Sequence, residues 1–357
     1  MKRIPIINVT DLYHPHQDPG DNVDILTPYA LPEIDLRAVI LDTTDRFRSP
    51  YADHEDPFFR DPTGPRDPGY IPMIQLNYLF DRNVPFAVSP FTPMRSPADT
   101  MTDIPHFQQT GIQLILDTLE NSSEPVEILS FGSTRAIAAA YNRNPELFRR
   151  KVSKLHISAG ASSSNYLEWN VHLDVHGFVR LLRSDIEIAI YPCATENGPF
   201  AYGPHNSYWL LENLNFIRDM EPKLRNYLGY ALERTNRVDF LRAVDEPLSE
   251  DFMKRVYAKR HNVWETAVWA QVARRSIVRR ASGEYRLVPN DEVLSTDQVL
   301  PNELRPCTVD INDDGLFDFT FTEQSNLSMY DRGDPYINEA ALREALPALY
   351  RSFTLGD

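Results

Sequence analysis

The feature that most constrains the fold is the alternation of short apolar runs with helical patterns along the chain. A β-loop-α-β unit typically shows an apolar run rich in β-branched residues, then an amphipathic stretch, then a second apolar run. Such units form parallel sheets with right-handed crossovers. The predicted strands are 3–9, 36–41, 86–88, 126–130, 154–158 and 186–191. We therefore predict an α/β fold, Rossmann-like in arrangement, with a mostly parallel central sheet flanked by helices.

Helical patterns fill most of the gaps between the predicted strands, and a β-hairpin is indicated near the C-terminus. We find no internal repeat and no low-complexity linker, so we expect one domain over 1–357. Within it we expect a Pro-rich insertion around 48–69 and a C-terminal extension over 281–357. The predicted helices are 23–30, 72–80, 107–119, 134–141, 175–182 and 340–350, the mostly helical segments are 208–230 and 251–279, and the hairpin is 309–323.

Charge and composition exclude several classes of function. The formal net charge of −15 disfavours nucleic acid as a partner, because an acidic surface repels phosphate, and it is compatible with a cation site. No apolar stretch approaches the roughly 20 residues of a membrane span. Residues 1–9 are too short for a signal peptide, so we expect a cytoplasmic protein. Cys193 and Cys307 form neither a disulfide framework nor a zinc pattern.

The loop after the first strand is the most acidic post-strand segment. Ligands of open parallel sheets bind at the carboxyl ends of strands. Four carboxylates fall within the fourteen residues 11–24, around a Pro19-Gly20 turn, and Asn22 or Asp21 could cap a helix that starts at Val23. Their mutual repulsion would be relieved by a bound cation or by raised pKa values. The alternative is a solvated acidic turn with a helix cap.

Asp18-Pro19-Gly20, followed closely by further acidic residues, resembles the calcium-binding segment of the inosine-uridine-preferring nucleoside hydrolases. In that family the segment also activates a water molecule. The resemblance implies that Asp18 is a metal ligand and the catalytic base. It implies that Asp11 and Asp24 are further ligands and that Asn22 or Asp21 contacts a ribose hydroxyl.

Two further segments are similar to the same family. Residues 126–138 look like its strand-turn-helix element, in which the residue before the glycine gives its backbone carbonyl to calcium. That position is Phe131 here, and a carbonyl ligand is indifferent to the side chain. Asp45 falls where the family has an asparagine after its second strand, so it is a candidate substrate contact.

The strongest match covers 157–161 and 167–174, which resembles the family's Met-Gly-Gly-Ala followed by Glu-Phe-Asn-Ile. The resemblance implies that Glu168 and Asn170 bind the ribose hydroxyls. Two residues apart, they would point to one side of an extended segment. A carboxylate beside an amide suits a vicinal diol. Asn165 corresponds to another sugar-binding asparagine.

The family also has a His-Asp pair that opens a late helix, and 263–270 looks like the matching place. Glu265 would then complete the calcium shell. Trp264 stands where the family has the histidine that protonates the leaving base, and a tryptophan cannot take that role. The other candidates for this acid are Tyr13, His14, His16 and His261.

Together these likenesses imply a calcium-dependent hydrolase of the N-glycosidic bond of ribonucleosides or a related ribosyl compound, as a homodimer or homotetramer. Three departures, at 22–23, at Ala136 and at Trp264, leave a non-catalytic relative that binds a sugar or nucleoside, or that serves as an interaction protein, as the alternative.

Residues 310–318 have the form D-x-N-x-D-G-x-x-D. This form suits either a second calcium loop or a plain hairpin turn.

Overall fold

The computed structural model describes residues 3–47, 66–233, 235 and 237–355. The predicted Pro-rich insertion lies outside the described residues except for its end at 66–69. Two of those last residues, Asp67 and Pro68, pair as a short antiparallel strand with Tyr13 and His14.

The described residues form sixteen strands and thirteen α-helices. The strands are β1 (Ile4–Thr10), β2 (Tyr13–His14), β3 (Ile34–Leu41), β4 (Asp67–Pro68), β5 (Phe86–Val88), β6 (Val126–Ser130), β7 (Val152–Ile157), β8 (Ile188–Ile190), β9 (Trp209–Leu211), β10 (His261–Val263), β11 (Arg275–Arg279), β12 (Tyr285–Pro289), β13 (Gln298–Val299), β14 (Glu303–Ile311), β15 (Phe317–Phe321) and β16 (Leu327–Asp331). The helices are α1 (Pro19–Asp24), α2 (Leu26–Ala30), α3 (Tyr70–Leu79), α4 (Thr110–Asn121), α5 (Arg135–Arg143), α6 (Pro145–Lys151), α7 (Trp169–Leu173), α8 (Val175–Leu182), α9 (Pro222–Leu232), α10 (Phe240–Asp245), α11 (Glu250–Tyr257), α12 (Thr266–Val272) and α13 (Pro335–Arg351).

A nine-stranded sheet forms the centre, in the order β15-β14-β16-β8-β7-β6-β1-β3-β5. The pairs from β16 through to β5 are all parallel, and the two strands at the other edge, β14 and β15, are antiparallel. The predicted mostly parallel α/β fold is therefore confirmed. The predicted hairpin is also present, as β14 and β15, and it extends the central sheet.

Residues of β1 face two separate hydrophobic cores, because the sheet carries helices on both faces. Ile6 packs into one core, whereas Ile7 and Val9 pack into the other, and all three are fully buried. A strand buried on both faces reads as a continuous apolar run, which is why the sequence predicted it well.

The chain order places a crevice beside β1. From β1 the chain moves to β3 and β5 on one side, and it later returns to β6, β7 and β8 on the other. The strand order thus reverses between β1 and β6, and ligands of open α/β sheets bind at the carboxyl ends of strands at such a point. Asp11 follows β1 and Phe131 follows β6, so both lie at this switch point.

A buried ion pair fixes the loops around the crevice. Arg135 at the start of α5 and Asp174 at the start of α8 pair at 3.1 Å with both side chains fully buried. The guanidinium also donates to the backbone carbonyls of Thr43, Pro90 and Leu173. One side chain therefore ties together the loops that follow β3, β5 and α7.

The prediction of mostly helical segments at 208–230 and 251–279 is wrong in part. Trp209–Leu211 and His261–Val263 pair with each other as strands, and 275–279 is a strand of a separate antiparallel sheet with β12 and β13. The pairing of Trp209–Leu211 with His261–Val263 joins residues distant in sequence, so the local pattern did not reveal it. Among the described residues, no helix has the length and apolar character that crossing a membrane requires.

Candidate functional site

A cavity of about 560 Å³ opens at the switch point of the central sheet. Its lining combines carboxylates with aromatic rings from segments that are far apart in sequence. The lining residues are Asp11, Gln17, Asp18, Asp21, Phe47, Phe131, Tyr166, Leu167, Glu168, Trp169, Asn170, His172, Cys193, Pro199, Phe200, Trp264 and Glu265.

Four of these residues form what we call the acidic cluster: Asp11, Asp18, Asp21 and Glu265. Gln17 donates from its side-chain amide to Asp11 at 3.1 Å and to Asp21 at 3.5 Å. The predicted helix start at Val23 is wrong, because Asp18 itself caps α1 and accepts from the Gly20 N–H at 2.7 Å. Proline is favoured at the first helical position, so Pro19 opens the helix earlier than the sequence indicated.

The three aspartates of the acidic cluster, Asp11, Asp18 and Asp21, have raised pKa values, so they hold their protons more tightly than usual. Burial is the largest cause of the raised pKa values of Asp11, Asp18 and Asp21, and it raises that of Asp18 to about 7. For Asp11 and Asp21 the pKa is well above the ordinary value, and repulsion from neighbouring carboxylates, Glu265 among them, adds to the effect of burial. The ionised carboxyl groups of the cluster thus repel one another, and a bound cation would reduce this repulsion.

Asp24 lies behind this cluster and does not line the cavity. Its carboxyl group accepts a hydrogen bond from the Tyr350 hydroxyl at 3.4 Å. Burial, followed by repulsion from Glu265, raises its pKa well above the ordinary value. Asp24 is therefore coupled to the acidic cluster through charge repulsion with Glu265.

The donor atoms of the acidic cluster fit a hard divalent cation such as Ca²⁺, which takes carboxylate and carbonyl oxygens. Phe131, whose carbonyl was the expected backbone ligand, lines the same cavity. Among the described residues, however, no three His, Cys, Asp or Glu side chains already stand in an arrangement that would hold a metal ion. Like-charged carboxylates approach closely only with a cation or protons between them. The residues therefore fit the ion by chemistry, and their side chains would have to close around it.

Glu168 and Asn170 both line the cavity, but not as an extended pair. Glu168 caps α7 and accepts from the backbone N–H groups of Asn170 and Gly160 at 3.0 and 2.8 Å. Asn170 lies in the first turn of α7 and donates from its side chain to the Ser158 carbonyl at 2.9 Å. Burial raises the pKa of Glu168 to about 7. The expectation of an extended segment is thus wrong, although the two side chains still share one site.

Three of the predicted contacts do not reach the cavity. Asn22 is buried and accepts from the Tyr227 hydroxyl at 3.4 Å, because α1 turns that face toward α9. Asp45 is exposed on a short 3₁₀ helix, Asp45–Phe47. Asn165 is exposed and donates to the Ser163 hydroxyl at 3.3 Å.

None of the four candidate acids lines the cavity. Tyr13 accepts from the Thr44 N–H at 2.7 Å, and His14 stacks on Tyr230. His16 contacts the Leu232 carbonyl at 3.3 Å. His261 is buried against α1, and burial lowers its pKa to about 4. These four rings therefore pack beside the acidic loop and do not line the cavity.

Trp264 and His172 both reach the cavity. The Trp264 indole donates to the Cys193 carbonyl at 2.8 Å, and its ring lies 5.3 Å from Tyr208 and 6.0 Å from Phe200. His172 lies in α7, one helical turn beyond Glu168, with its ring 6.2 Å from Trp169.

Sequence reasoning missed several lining residues, four of which carry a phenyl, phenol or indole ring. Phe47 contacts Trp169 with 6.1 Å between the ring centroids, although the two residues are far apart in sequence. For His172 a signal did exist, because it follows Glu168 by four residues and would share its face of a helix. The other missed residues that line the cavity are Gln17, Tyr166, Leu167, Cys193, Pro199 and Phe200.

The loop at 310–318 is held as a turn by its own side chains. Asn312 accepts from the N–H groups of Asp314 and Leu316, both at 3.0 Å, and Gly315 adopts a positive φ of 82°. Asp313 pairs with Arg183 at 2.7 Å. Asn312 and Asp313 therefore have partners other than an ion.

No known family model matches the sequence, and no curated protein matches it either. Solved structures, however, align over nearly the whole chain. A plant nucleoside hydrolase is 13% identical and covers 97% of this chain and 99% of its own, with a TM-score of 0.55. A purine-preferring ribonucleoside hydrolase from Gardnerella vaginalis is also 13% identical, with coverage of 97% and 99% and a TM-score of 0.53. The chain therefore has a nucleoside-hydrolase-like α/β fold.

Proposed function

We propose that this protein hydrolyses the N-glycosidic bond of a ribonucleoside or a related ribosyl compound, with Ca²⁺ as its cofactor. The observation that carries the proposal is that the acidic cluster shares one cavity with Glu168 and Asn170. These are the two groups of residues that the sequence resemblance assigns to a cation and to the ribose. Their meeting at the switch point of the sheet supports the proposal, because substrates of open α/β folds bind there.

Asp11, Asp18, Glu265 and the Phe131 carbonyl would hold the cation, whereas Asp24 lies outside the cavity lining. Asp21 lines the same part of the cavity and is a further oxygen donor. When bound, the cation lowers the pKa of a water molecule and draws ribose hydroxyl oxygens toward it.

The chain's own residues supply the remaining chemistry. Asp18 accepts a proton from the attacking water as the water oxygen bonds to the anomeric carbon of the ribose. The carbon–nitrogen bond breaks, and its electron pair leaves with the base. Asn170 orients the sugar, while Glu168 holds the start of α7 in place through its backbone hydrogen bonds and presents its carboxyl group to the cavity.

Protonation of the leaving base cannot come from Trp264, because an indole has no acidic proton and its N–H donates to Cys193. His172 is the imidazole among the described lining residues. For a neutral base we therefore assign the proton to His172.

The test is ribose release from a panel of purine and pyrimidine ribonucleosides with added CaCl₂. The wild type should release ribose, and Asp18→Asn should lower kcat by at least about 100-fold, because a positioned base contributes 10²–10⁴. Asparagine still caps the helix, so this variant should remain folded. Asp45→Asn, at an exposed position outside the cavity, is the matched control and should keep full activity. No turnover of any nucleoside would contradict the proposal.

The second candidate is a non-catalytic protein that binds a nucleoside or sugar. It is favoured by Trp264, which removes the expected acid, and by the lack, among the described residues, of a metal group that is already formed. Calorimetry with a nucleoside and CaCl₂ separates the two functions. Binding without any released ribose would establish this second function in place of hydrolysis.

A further inference from the structure

We infer that the preferred substrates are ribosides whose leaving group is a positively charged heteroaromatic ring, such as a pyridinium joined to ribose through its nitrogen. This inference rests on the proposed function and names the substrate class of the same cavity. It follows from the charge of the lining, from its aromatic rings and from the chemistry of the leaving group.

The acidic groups of the described lining are not balanced by lysine or arginine. Five carboxyl groups face the cavity, from Asp11, Asp18, Asp21, Glu168 and Glu265. Among the lining residues that the structure describes there is no lysine and no arginine. A cleft lined by one sign of charge concentrates ligands of the opposite sign. A divalent cation at the acidic cluster would favour the charged form of these carboxyl groups, so that five negative charges would face two positive ones.

The aromatic part of the lining contains two pairs of rings in contact. Phe47 and Trp169 form one contact at 6.1 Å, and Phe200 and Trp264 form another at 6.0 Å. The indole N–H of Trp264 is already used, so this side chain offers a ligand its π-system alone. Tryptophan is the best cation–π partner among the side chains, and a cationic ring gains more from such contacts than a neutral one.

The chemistry of the leaving group also favours ribosides of positively charged heteroaromatic rings. When the bond from C1′ to a pyridinium nitrogen breaks, the electron pair neutralises the ring, which leaves as a neutral pyridine. Water supplies the new C1′–O bond and gives one proton to Asp18. No proton needs to reach the leaving group, so the replacement of the expected histidine by Trp264 carries no penalty for these substrates.

The experiment compares two ligands that differ mainly in charge. They are the carbocyclic analogue of nicotinamide riboside, whose pyridinium ring is positively charged, and the neutral 1,4-dihydro form of that analogue. Neither can be hydrolysed, because carbon replaces the oxygen of the sugar ring. Titration calorimetry with wild-type protein and CaCl₂ should show that the cation binds at least tenfold more tightly. Equal affinities, tighter binding of the neutral form, or no binding of either would overturn the inference.

Variants identify the source of the preference. Trp264→Leu and Phe200→Leu should each reduce the tenfold ratio at least threefold, because leucine keeps apolar bulk without a π-system. Phe107→Leu, at a position that is 56% exposed and outside the cavity, should leave the ratio unchanged. If all three variants keep the wild-type ratio, the aromatic part of the inference is wrong.

Turnover of the natural ribosides separates this inference from the proposed function. Ribose release from neutral nucleosides at the same kcat/KM as from the pyridinium riboside would overturn the inference and leave hydrolysis intact. Selective binding of the cationic analogue, with no ribose released from any riboside, would overturn hydrolysis and keep the binding preference.

Discussion

The indole nitrogen of Trp264 donates a hydrogen bond to the backbone carbonyl oxygen of Cys193 across 2.8 Å. The backbone N–H of Trp264 also donates to the Glu265 carboxylate at 3.0 Å. One residue thus fixes an aromatic wall of the cavity and orients an acidic neighbour. Because its side chain has no acidic proton, Trp264 restricts proton donation to a neutral base to His172, which stands elsewhere in the lining.

The substitution Trp264→His tests this restriction directly. An imidazole with an ordinary pKa of about 6.5 can donate a proton near neutral pH. We expect kcat/KM for a neutral nucleoside such as inosine to rise at least about tenfold, since a positioned general acid contributes 10²–10⁴. Trp264→Gln removes the ring without adding an acid and is the control. An equal rise in both variants would show that space, not proton transfer, limits the reaction.

Glu168 gives the protein a pH-dependent stability. Its ordinary pKa of 4.5 rises to about 7 in the folded state, mainly through burial. Below about pH 4.5 the group is neutral in both states. Between pH 4.5 and 7 the unfolded chain loses this proton first, so stability falls as the pH rises and then levels off.

Glu168→Gln cannot titrate and should lack this fall. The difference in unfolding free energy, wild type minus variant, should drop by on the order of 3 kcal/mol from pH 4.5 to above pH 7. Denaturant unfolding at a series of pH values measures it, with Glu196→Gln at an exposed position as the matched chemical control. A difference that stays constant across this range would contradict the raised pKa.

The buried pair of Arg135 and Asp174 should be the costliest place to remove a charge. Arg135→Met leaves Asp174 without its cation and frees three backbone carbonyls. We expect a loss of about 3–5 kcal/mol in the free energy of unfolding, the usual range for breaking a buried pair.

Arg149→Met is the comparison for that measurement. Arg149 also pairs with acidic residues, but its side chain is 43% exposed, so its removal should cost about 1 kcal/mol or less. Similar losses in the two variants would show that the Arg135 pair does not hold the site loops.

The sequence predicted the sheet better than it predicted the site. Strands such as Ile4–Thr10 and Val126–Ser130 are buried on both faces, so their local composition reports the fold directly. The acidic loop was also recognisable, because its carboxylates follow a strand. The site predictions that failed depended on the residue at which a helix begins, because this decides which side chains face the cavity. A helix that begins at Pro19 turns Asn22 toward Tyr227, away from the cavity.

The aromatic half of the cavity could not be read from the sequence. Phe47, Trp169 and Phe200 come from three segments far apart in the chain, and nothing in their local sequence distinguishes them from core residues. Their meeting is set by tertiary packing, which includes the buried ion pair between α5 and α8. The short pairing of β9 with β10 was missed for the same reason.

Calcium titration of metal-free protein by calorimetry tests the central claim most directly, because it asks whether carboxylates from the amino-terminal loop and from position 265 share one ion. We predict one site in the wild type, with Kd raised at least tenfold by Asp18→Asn and by Glu265→Gln and unchanged by Asp45→Asn. A wild type that takes up no calcium, or an affinity that neither cavity substitution alters, would contradict it.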